Sequence, residues 1–337
     1  MNVTLAYVIA AMMLLAVTAY STAGGVDFGA GIWDLLAGGD ERGRRARELI
    51  DRSMAPVWEV NNVWLVLAIV LCWTGFPTLF EMVFLSLYPL YSVALIGLIL
   101  RGAFFAFRHV AENPRDHRIA DYVFGISSVV TPIFFAMSLG AIASGRVGAP
   151  GVSAWDASVS PMSVAFGLVS VCATALSGAA FLIGDARREQ AAELVEYFRT
   201  RTIIAAGALI VVGTGALAAI AVERRELLTS MVSFPAVLLV AVVMVLTPTV
   251  AFLVWRRWFA WYRVLTVAAV GSLVAAWGMA QSPYLLPGRL TIDQAAAPLG
   301  TEVLLTVVAG VVVLVIGPSI GFLLYLDQKS ALEPQGS

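Results

Sequence analysis

Charged and amide side chains inside apolar stretches are the residues of this sequence that could do chemistry. Asp27 lies among four glycines in the segment GGVDFGAG, which follows the first apolar stretch. Glycines let a second backbone or a ligand approach closely. A charge at the centre of a bilayer costs about 2.5–3.5 kcal/mol on insertion scales, so it needs a partner, water or an interfacial position. Asp27 is therefore a candidate for a functional site, with an interfacial position as the alternative.

A second polar group opens the next apolar stretch, in the segment PVWEVNNVW. It contains Glu59, Asn61, Asn62 and Trp64. Positions 59 and 62 lie on one helical face, so their side chains can belong to one polar stripe. A carboxylate beside amides, at a helix end that faces the cytoplasm, could take up protons. It could equally lie at the interface, where charged groups reach water at little cost. The residues alone leave both interpretations open.

Other charges within or next to apolar stretches have structural interpretations. Arg101 closes the third apolar stretch, where an interfacial position would satisfy it. Asp34 and Glu81 are interpreted as interfacial, and Glu302 as a carboxylate that complements the N-terminal dipole of the last helix.

Haem and metal ligands are scarce in the apolar stretches. The only histidines, His109 and His117, fall in a polar connection after the third stretch. Histidine is the commonest haem ligand. Cys72 and Cys172 stand alone without metal-ligand spacing and are interpreted as packing residues. We therefore predict that this chain alone binds no haem and no metal.

The composition predicts a protein of the membrane. Of 337 residues, 60% are hydrophobic and 13% are charged, whereas soluble domains have about 25% charged residues. A chain with so few charges could not cover a surface that faces water. The net charge of −1 gives no reason to expect nucleic acid as a partner.

Nine apolar stretches are long enough to cross about 30 Å of hydrocarbon, which takes roughly 17–25 helical residues. They lack the alternation of a membrane barrel, so helices are expected. The sequence thus predicts an all-α integral membrane protein, with residues 1–337 forming a single polytopic domain. The predicted helices span residues 4–24, 58–76, 79–102, 121–143, 161–184, 202–222, 232–255, 264–282 and 302–326.

The distribution of basic residues predicts the orientation. One set of connections carries sixteen Lys and Arg residues and the alternate set carries four. Loops rich in basic residues stay in the cytoplasm, so the N-terminus is predicted outside and the C-terminus inside. The basic set comprises 38–57, 103–120, 185–201, 256–263 and the C-terminal tail, and the alternate set comprises 144–160, 223–231 and 283–301. The charged segment 185–201 is predicted to form a short helix or a helix extension at the cytoplasmic surface.

Together these segments resemble subunit II of the cytochrome bd-type terminal oxidases, in the same order and over essentially the whole chain. DFGAG at Asp27 is similar to the family's GFDxGxG element, and PVWEVNNVWL is similar to its PxWDGNxVWL element, the most specific match. The segment from Arg101 to Arg108 resembles the arginine-bearing end of the family's third helix. PYLLP and LTID, within residues 283–293, resemble its FPFxxPS…LTxxDA connection.

The resemblance implies a haem-free subunit that packs against subunit I, which carries two b-type haems, one d-type haem and the quinol site. The pair would oxidise quinol and reduce dioxygen to water in a bacterial or archaeal cell (inner) membrane, with protons from the cytoplasm. Glu59 matches the acidic residue associated with the family's proton route. Asp27, Asn61, Trp64 and Arg101 would support that region, beside Asn62. A small single-helix subunit, membrane lipid and a structural quinone are further candidate partners or ligands.

The sequence departs from the family pattern along the implied route. Glu59 replaces an aspartate, and Val60 replaces the glycine that follows it. Ala106 stands where many members of that family have an acidic residue, and Gly24 stands where some have an aspartate. Two alternatives therefore stay open. One is a polytopic secondary transporter, which would also contain buried ionisable groups, and the other is an anchor subunit that moves no protons.

The predicted orientation can be tested with reporter fusions after Ser158 and after Gln190. Because one connection belongs to the alternate set and the other to the basic set, we expect the reporters to lie on opposite sides of the membrane. Reporters on the same side would show that the predicted helix count is wrong.

Overall fold

Long helices dominate the chain, as the apolar stretches predict. The computed structural model describes residues 5–54, 58–108, 110 and 113–328. In chain order the helices are α1 (Leu5–Leu35), α2 (Glu41–Met54), α3 (Trp58–Gly75), α4 (Pro77–Arg108), α5 (Pro114–Ser144), α6 (Ala154–Ser158), α7 (Pro161–Arg188), α8 (Ala192–Glu223), α9 (Arg225–Met231), α10 (Ala236–Trp255), α11 (Tyr262–Gln281), α12 (Ile292–Ala295) and α13 (Leu299–Gln328). Between α11 and α12, the short strands β1 (Tyr284–Leu286) and β2 (Leu290–Thr291) pair antiparallel.

Among the described helices, seven are long and apolar enough to cross a membrane: α1, α4, α5, α7, α8, α10 and α11. Helices α3 and α13 contribute the shorter apolar stretches Asn61–Gly75 and Leu299–Val315. Each predicted span therefore coincides with a helix, and the all-helical membrane fold is confirmed. The count of nine crossings and the orientation of the termini stay predictions.

The prediction that the first helix ends at residue 24 is wrong, because α1 continues to Leu35. The glycine-rich segment remains helical because it packs directly on α7. A methyl group on Gly29 would overlap the carbonyl oxygen of Thr174, and one on Gly178 would overlap the backbone of Gly29. The glycines thus allow close approach, and what approaches is a neighbouring helix.

Several other helices also extend beyond their apolar stretches. Helix α4 continues past residue 102 to Arg108, α5 begins at Pro114 rather than at 121, and α8 begins at Ala192 rather than at 202. The segment 185–201 forms the adjoining ends of α7 and α8, as the predicted helix extension requires. His117 consequently lies in the first turns of α5 rather than in a connection, with 51% of its side chain exposed. His109 lies outside the described residues.

Helix α2 is an amphipathic element that the charged composition of residues 38–57 did not reveal. Its charged face reaches the adjoining ends of α7 and α8, where Arg52 pairs with Glu189 at 2.8 Å and Arg45 pairs with Glu193 at 3.1 Å. The helix thus covers the predicted cytoplasmic end of the bundle. Its buried residues are Gly43, Ala46, Leu49, Ile50 and Met54.

Two large apolar clusters form the core. One joins the second half of α1 to α2, α4, α5, α7, α8, α10 and α11, and contains the fully buried Phe124 and Phe198. The other joins the first half of α1 to α3, α4, α5 and the β1–β2 hairpin, and contains Phe76 and Leu90. Helix α1 runs through both clusters, so polar groups on this helix lie at the centre of the bundle.

Candidate functional site

Two buried ion pairs join α1 to α4. The Arg101 guanidinium donates to both carboxylate oxygens of Asp27, from Nη2 to Oδ1 at 2.8 Å and from Nη1 to Oδ2 at 3.0 Å. Arg108 Nη1 donates to Asp34 Oδ2 at 3.2 Å. Partners on each helix are seven residues apart, about 10.5 Å along the axis. The two helices therefore run parallel, and we name this arrangement the double ion pair.

The Asp27–Arg101 pair is enclosed by protein. The two side chains are 6% and 5% exposed. Arg101 Nη2 also donates to the Asp27 carbonyl at 3.2 Å, and its Nε donates to Ser128 Oγ at 3.0 Å. Ser128 in turn donates to the carbonyl of Phe124 at 2.8 Å. One guanidinium thus links α1, α4 and α5 through charge-assisted hydrogen bonds, which are the strong ones.

Phe124 of α5 lies between the two ion pairs. Its ring centroid is 5.0 Å from Cζ of Arg101 and 4.8 Å from Cζ of Arg108. A second ring contacts each guanidinium, Phe28 at 4.8 Å from Arg101 and Phe105 at 5.2 Å from Arg108. Cation–π contacts of this kind are worth about 2 kcal/mol when desolvated. The aromatic rings therefore stabilise the two cations that the fold buries.

The Asp34–Arg108 pair connects to the protein surface, whereas the Asp27–Arg101 pair does not. Arg108 also forms an ion pair with Asp51 of α2 and lies 3.9 Å from Asp121 Oδ1 of α5. The side chains of Asp51 and Asp121 are each 36% exposed. His117 Nδ1 lies 3.9 Å from Asp121 Oδ1. Three carboxyl groups thus surround one guanidinium at the predicted cytoplasmic end.

The placement of Arg108 in a connection is wrong, because α4 continues to this residue. Asp34, predicted at the membrane interface, is 3% exposed, and Arg108 is 5% exposed, so protein encloses both side chains. Their burial follows from helix ends, because α1 and α4 each continue well beyond the predicted boundary. Asp34 Oδ1 is buried without a hydrogen-bond partner among the described residues.

Two more residues that the sequence singled out lie next to Asp27 in the bundle. Arg101, predicted to close the third helix, lies instead within α4 and is buried. Asn61 is 4% exposed, and its Nδ2 donates to the carbonyl of Ala23, one helical turn before Asp27, at 3.4 Å. The structure thus brings Asp27, Arg101 and Asn61 together.

The other predicted site residues lie at the start of α3. Asn62 and Trp64 are half-buried and take no part in the hydrogen bonds described above. Glu59 falls in the first turn of α3, but its side chain lies outside the part of the chain that the structure describes.

A polar stripe extends along α1 beyond the double ion pair. Tyr20 precedes Asp27 by the same seven residues that separate Asp27 from Asp34. The Tyr20 hydroxyl and the Thr131 hydroxyl of α5 are buried and have no hydrogen-bond partner among the described residues. Buried polar groups normally have partners, including water. The stripe therefore offers hydrogen-bonding sites from Asp34 to Tyr20.

Sequence reasoning missed Asp34, Arg108 and Ser128 as members of the site. The sequence contains a signal for the first two, because Asp27 and Asp34 have the same seven-residue spacing as Arg101 and Arg108. Such spacing places both members on one face of each helix. Ser128 gives no comparable signal, since its role depends on which face of α5 meets Arg101. Within the described residues, no three His, Cys, Asp or Glu side chains gather as a metal site.

The fold and the buried charges define a polytopic helical membrane protein with a polar site inside its bundle. Comparison with protein families is more specific. The family model described as cytochrome bd terminal oxidase subunit II matches residues 5–326. The chain belongs to this family.

Individual relatives are distant and match only in part. A Bacillus subtilis (strain 168) protein, provisionally described as a cytochrome bd menaquinol oxidase subunit II, is 31% identical over 121 residues, which is 36% of this chain and 34% of the relative. The cytochrome bd-I ubiquinol oxidase subunit 2 of Escherichia coli (strain K12) is 26% identical over 126 residues, 37% of this chain and 32% of the relative. The matched region thus spans about a third of each relative's length.

A solved structure is similar over almost the whole chain. A chain in the structure of bd oxidase from Geobacillus thermodenitrificans matches with a TM-score of 0.74 and 22% sequence identity. The match covers 96% of this chain and 98% of that chain. This likeness shows that the two chains share a fold.

The energetic importance of the Asp27–Arg101 pair can be tested by removing one partner or both. Arg101→Leu leaves a carboxylate buried without its partner, so we expect a loss of about 3–5 kcal/mol of stability. The double variant Asp27→Leu/Arg101→Leu leaves no buried charge and should recover much of that loss. Thermal unfolding of the detergent-extracted protein measures both effects.

Arg45→Gln is the control for these variants, because the Arg45–Glu193 pair is exposed and exposed pairs contribute little. A double variant as unstable as Arg101→Leu alone would mean that lost packing, rather than an unpaired charge, causes the damage.

Proposed function

We propose that this chain is the haem-free subunit II of a cytochrome bd-type quinol:oxygen oxidoreductase. It packs against a haem-bearing subunit I in the cell membrane and contributes a cytoplasmic proton-uptake route for the reduction of dioxygen to water. The observation that carries the proposal is the family match over residues 5–326. Both relatives described above are named as subunits of quinol oxidases, one for menaquinol and one for ubiquinol.

The proposal assigns the b and d haems and the quinol site to the partner. The histidine positions of this chain support that assignment. His117 is half-exposed, lies at the predicted cytoplasmic start of α5 and contacts Asp121. A haem within the bundle would need an axial ligand at membrane depth, which His117 is not placed to supply. This chain's contribution would then be structural support and proton supply.

Glu59 is the proposed entrance of the proton route. Helices α1 and α3 run antiparallel, since Asn61 meets Ala23 while Gly75 lies against Ile9. Position 59 lies two residues before Asn61 on α3, about 3 Å along the helix axis. Because the two helices are antiparallel, this step leads from the level of Ala23 on α1 towards the level of Asp27. The start of α3 thus lies within about one helical turn of the Asp27 level. A carboxyl group at this position can bind and release protons, which is what a relay requires.

Asp27, Asn61 and Arg101 are proposed to hold the surroundings of the route rather than to carry protons themselves. Asp27 and Arg101 are locked to each other by two hydrogen bonds, and the guanidinium stays charged throughout. Asn61 fixes the start of α3 against α1. Asn62 and Trp64, on the same helix, are proposed to line the entrance beside Glu59.

Two other functions were compatible with the sequence. A secondary transporter has no observation in its favour once the family is known, because the relatives are named as oxidase subunits. An anchor subunit that moves no protons shares the same family and fold. It differs from the proposal in a single respect, namely whether a carboxyl group at position 59 is needed for turnover.

Purification from native membranes tests the assembly. We expect the tagged chain to copurify with a larger membrane subunit whose reduced-minus-oxidised spectrum shows b-type and d-type haem bands. The chain separated from that partner should show no stoichiometric Soret band, because its histidines lie outside the predicted membrane spans. A stable monomer recovered without any partner would contradict the proposal and favour the transporter.

Substitution of Glu59 tests the proton route in the assembled enzyme. Glutamine keeps the size and much of the hydrogen bonding but cannot release and rebind a proton at the route's entrance. We expect Glu59→Gln to leave assembly and haem content unchanged while slowing quinol-driven oxygen consumption at least several-fold, because a positioned acid or base contributes about 10²–10⁴-fold to the step that it serves.

Two variants control the Glu59 experiment. Glu59→Asp retains a carboxyl group and should keep much of the turnover. Asp121→Asn removes another carboxyl group from the predicted cytoplasmic side, 3.9 Å from Arg108, and should turn over normally. Normal turnover in a fully assembled Glu59→Gln enzyme would leave the chain as an anchor subunit.

A further inference from the structure

A cavity at the predicted cytoplasmic ends of α7 and α11 contains more positive than negative charge. Its volume is about 380 Å³, within the roughly 300–1,000 Å³ range of small-molecule sites. None of its lining residues belongs to α3 or to the proposed proton route. Its lining residues are Gly184, Arg187, Arg188, Phe259, Tyr262 and Arg263.

Two of the three arginines that line the cavity share one carboxylate. Asp185 accepts hydrogen bonds from Arg188 at 2.9 Å and from Arg263 at 2.8 Å. Arg187 forms no ion pair among the described residues and lies instead over the ring of Phe259, with Cζ 4.8 Å from its centroid. Three guanidinium groups against one carboxylate leave a net positive cavity, which an anion would neutralise.

Arg263 is positioned across the helix interface. It belongs to α11, and its Nη2 donates to the carbonyl of Phe181 on α7. A side chain at position 184 would overlap the Arg263 guanidinium, so Gly184 leaves the space that this side chain occupies. Arg263 Nε is buried and has no acceptor among the described residues. The geometry therefore holds a cationic group at the cavity with one N–H donor unused.

Exposed tryptophans place the cavity at the level of lipid headgroups. Trp255, Trp258 and Trp261, in and after the last turn of α10, are 58%, 64% and 74% exposed. Tryptophan is enriched where the membrane meets water. Phe259 and Tyr262, which line the cavity, lie within this same segment. A ligand in the cavity would thus have its polar end at the interface and could extend apolar chains along the bundle.

We propose that this cavity binds the phosphate of an anionic phospholipid, held by Arg187, Arg188 and Arg263. Guanidinium groups bind phosphate oxygens through paired hydrogen bonds. Basic pockets between transmembrane helices on the cytoplasmic side bind anionic headgroups in the same way. The bound lipid would tie the segment between α10 and α11 to the end of α7, where the three arginines otherwise repel one another.

The proposal can be tested by native mass spectrometry of the detergent-extracted assembly after removal of lipid. The wild-type assembly should bind added phosphatidylglycerol more tightly than phosphatidylcholine. In Arg187→Gln/Arg263→Gln, affinity for phosphatidylglycerol should fall about fivefold for each arginine removed, while phosphatidylcholine binding stays unchanged. Arg118→Gln, which removes an exposed arginine on the same predicted side, should bind as the wild type does.

Gly184→Ala supplies a test that keeps the charge constant. The added methyl group displaces the Arg263 guanidinium without removing a cation, so binding of phosphatidylglycerol should weaken here too, even where the double variant fails to assemble. Equal binding of the two lipids, or wild-type binding in both cavity variants, would overturn the proposal. So would full displacement of phosphatidylglycerol by inorganic phosphate at the same concentration, which would indicate a site for free anions.

Discussion

The double ion pair between α1 and α4 fixes the arrangement of the helices at the centre of this protein. A charged side chain inside a bilayer has no water to solvate it, so it must meet its partner within the protein. Asp27 and Arg101 do so with less than a tenth of either side chain exposed. Sliding α1 past α4 by one turn, about 5.4 Å, would separate both pairs at once. The pairs therefore specify the register of α1 relative to α4, two helices that both pack on α5.

The same interaction explains which parts of the site the sequence predicts. Asp27 and Arg101 stand out because each is a charge within or beside an apolar stretch, and both lie in the site. Asp34 and Arg108 are also buried and paired but lie where the apolar stretches end. Their burial depends on α1 and α4 continuing beyond the apolar stretch, and that continuation is itself stabilised by their pairing. Local composition predicts where an apolar stretch ends, whereas the residue at which the helix ends depends on tertiary contacts.

Where a residue's role depends on the rotation of its helix, sequence spacing alone does not predict that role. Phe124 and Ser128 lie four residues apart on α5, so they share a face, but nothing local indicates that this face meets the arginines. The polar face predicted for α3, with positions 59 and 62, depends on helix rotation in the same way. Asn61 points into the bundle while Asn62 does not. A turn of α3 by one residue, about 100° of rotation, would exchange them.

The distribution of carboxyl groups bears on the departures from the family pattern. By the resemblance to the family's motifs, Ala106 and Gly24 stand where an acidic residue is common, and Glu59 stands in place of an aspartate that is shorter by one methylene. Asp34, Asp51 and Asp121 surround Arg108 at the predicted cytoplasmic end, so three carboxyl groups face one cation there. In the proposed route, a carboxyl group at position 59 would act from a helix end that Asn61 holds against α1. Proton supply can then rest on a single relaying carboxyl group, provided that the ion pairs keep the helices around it in place.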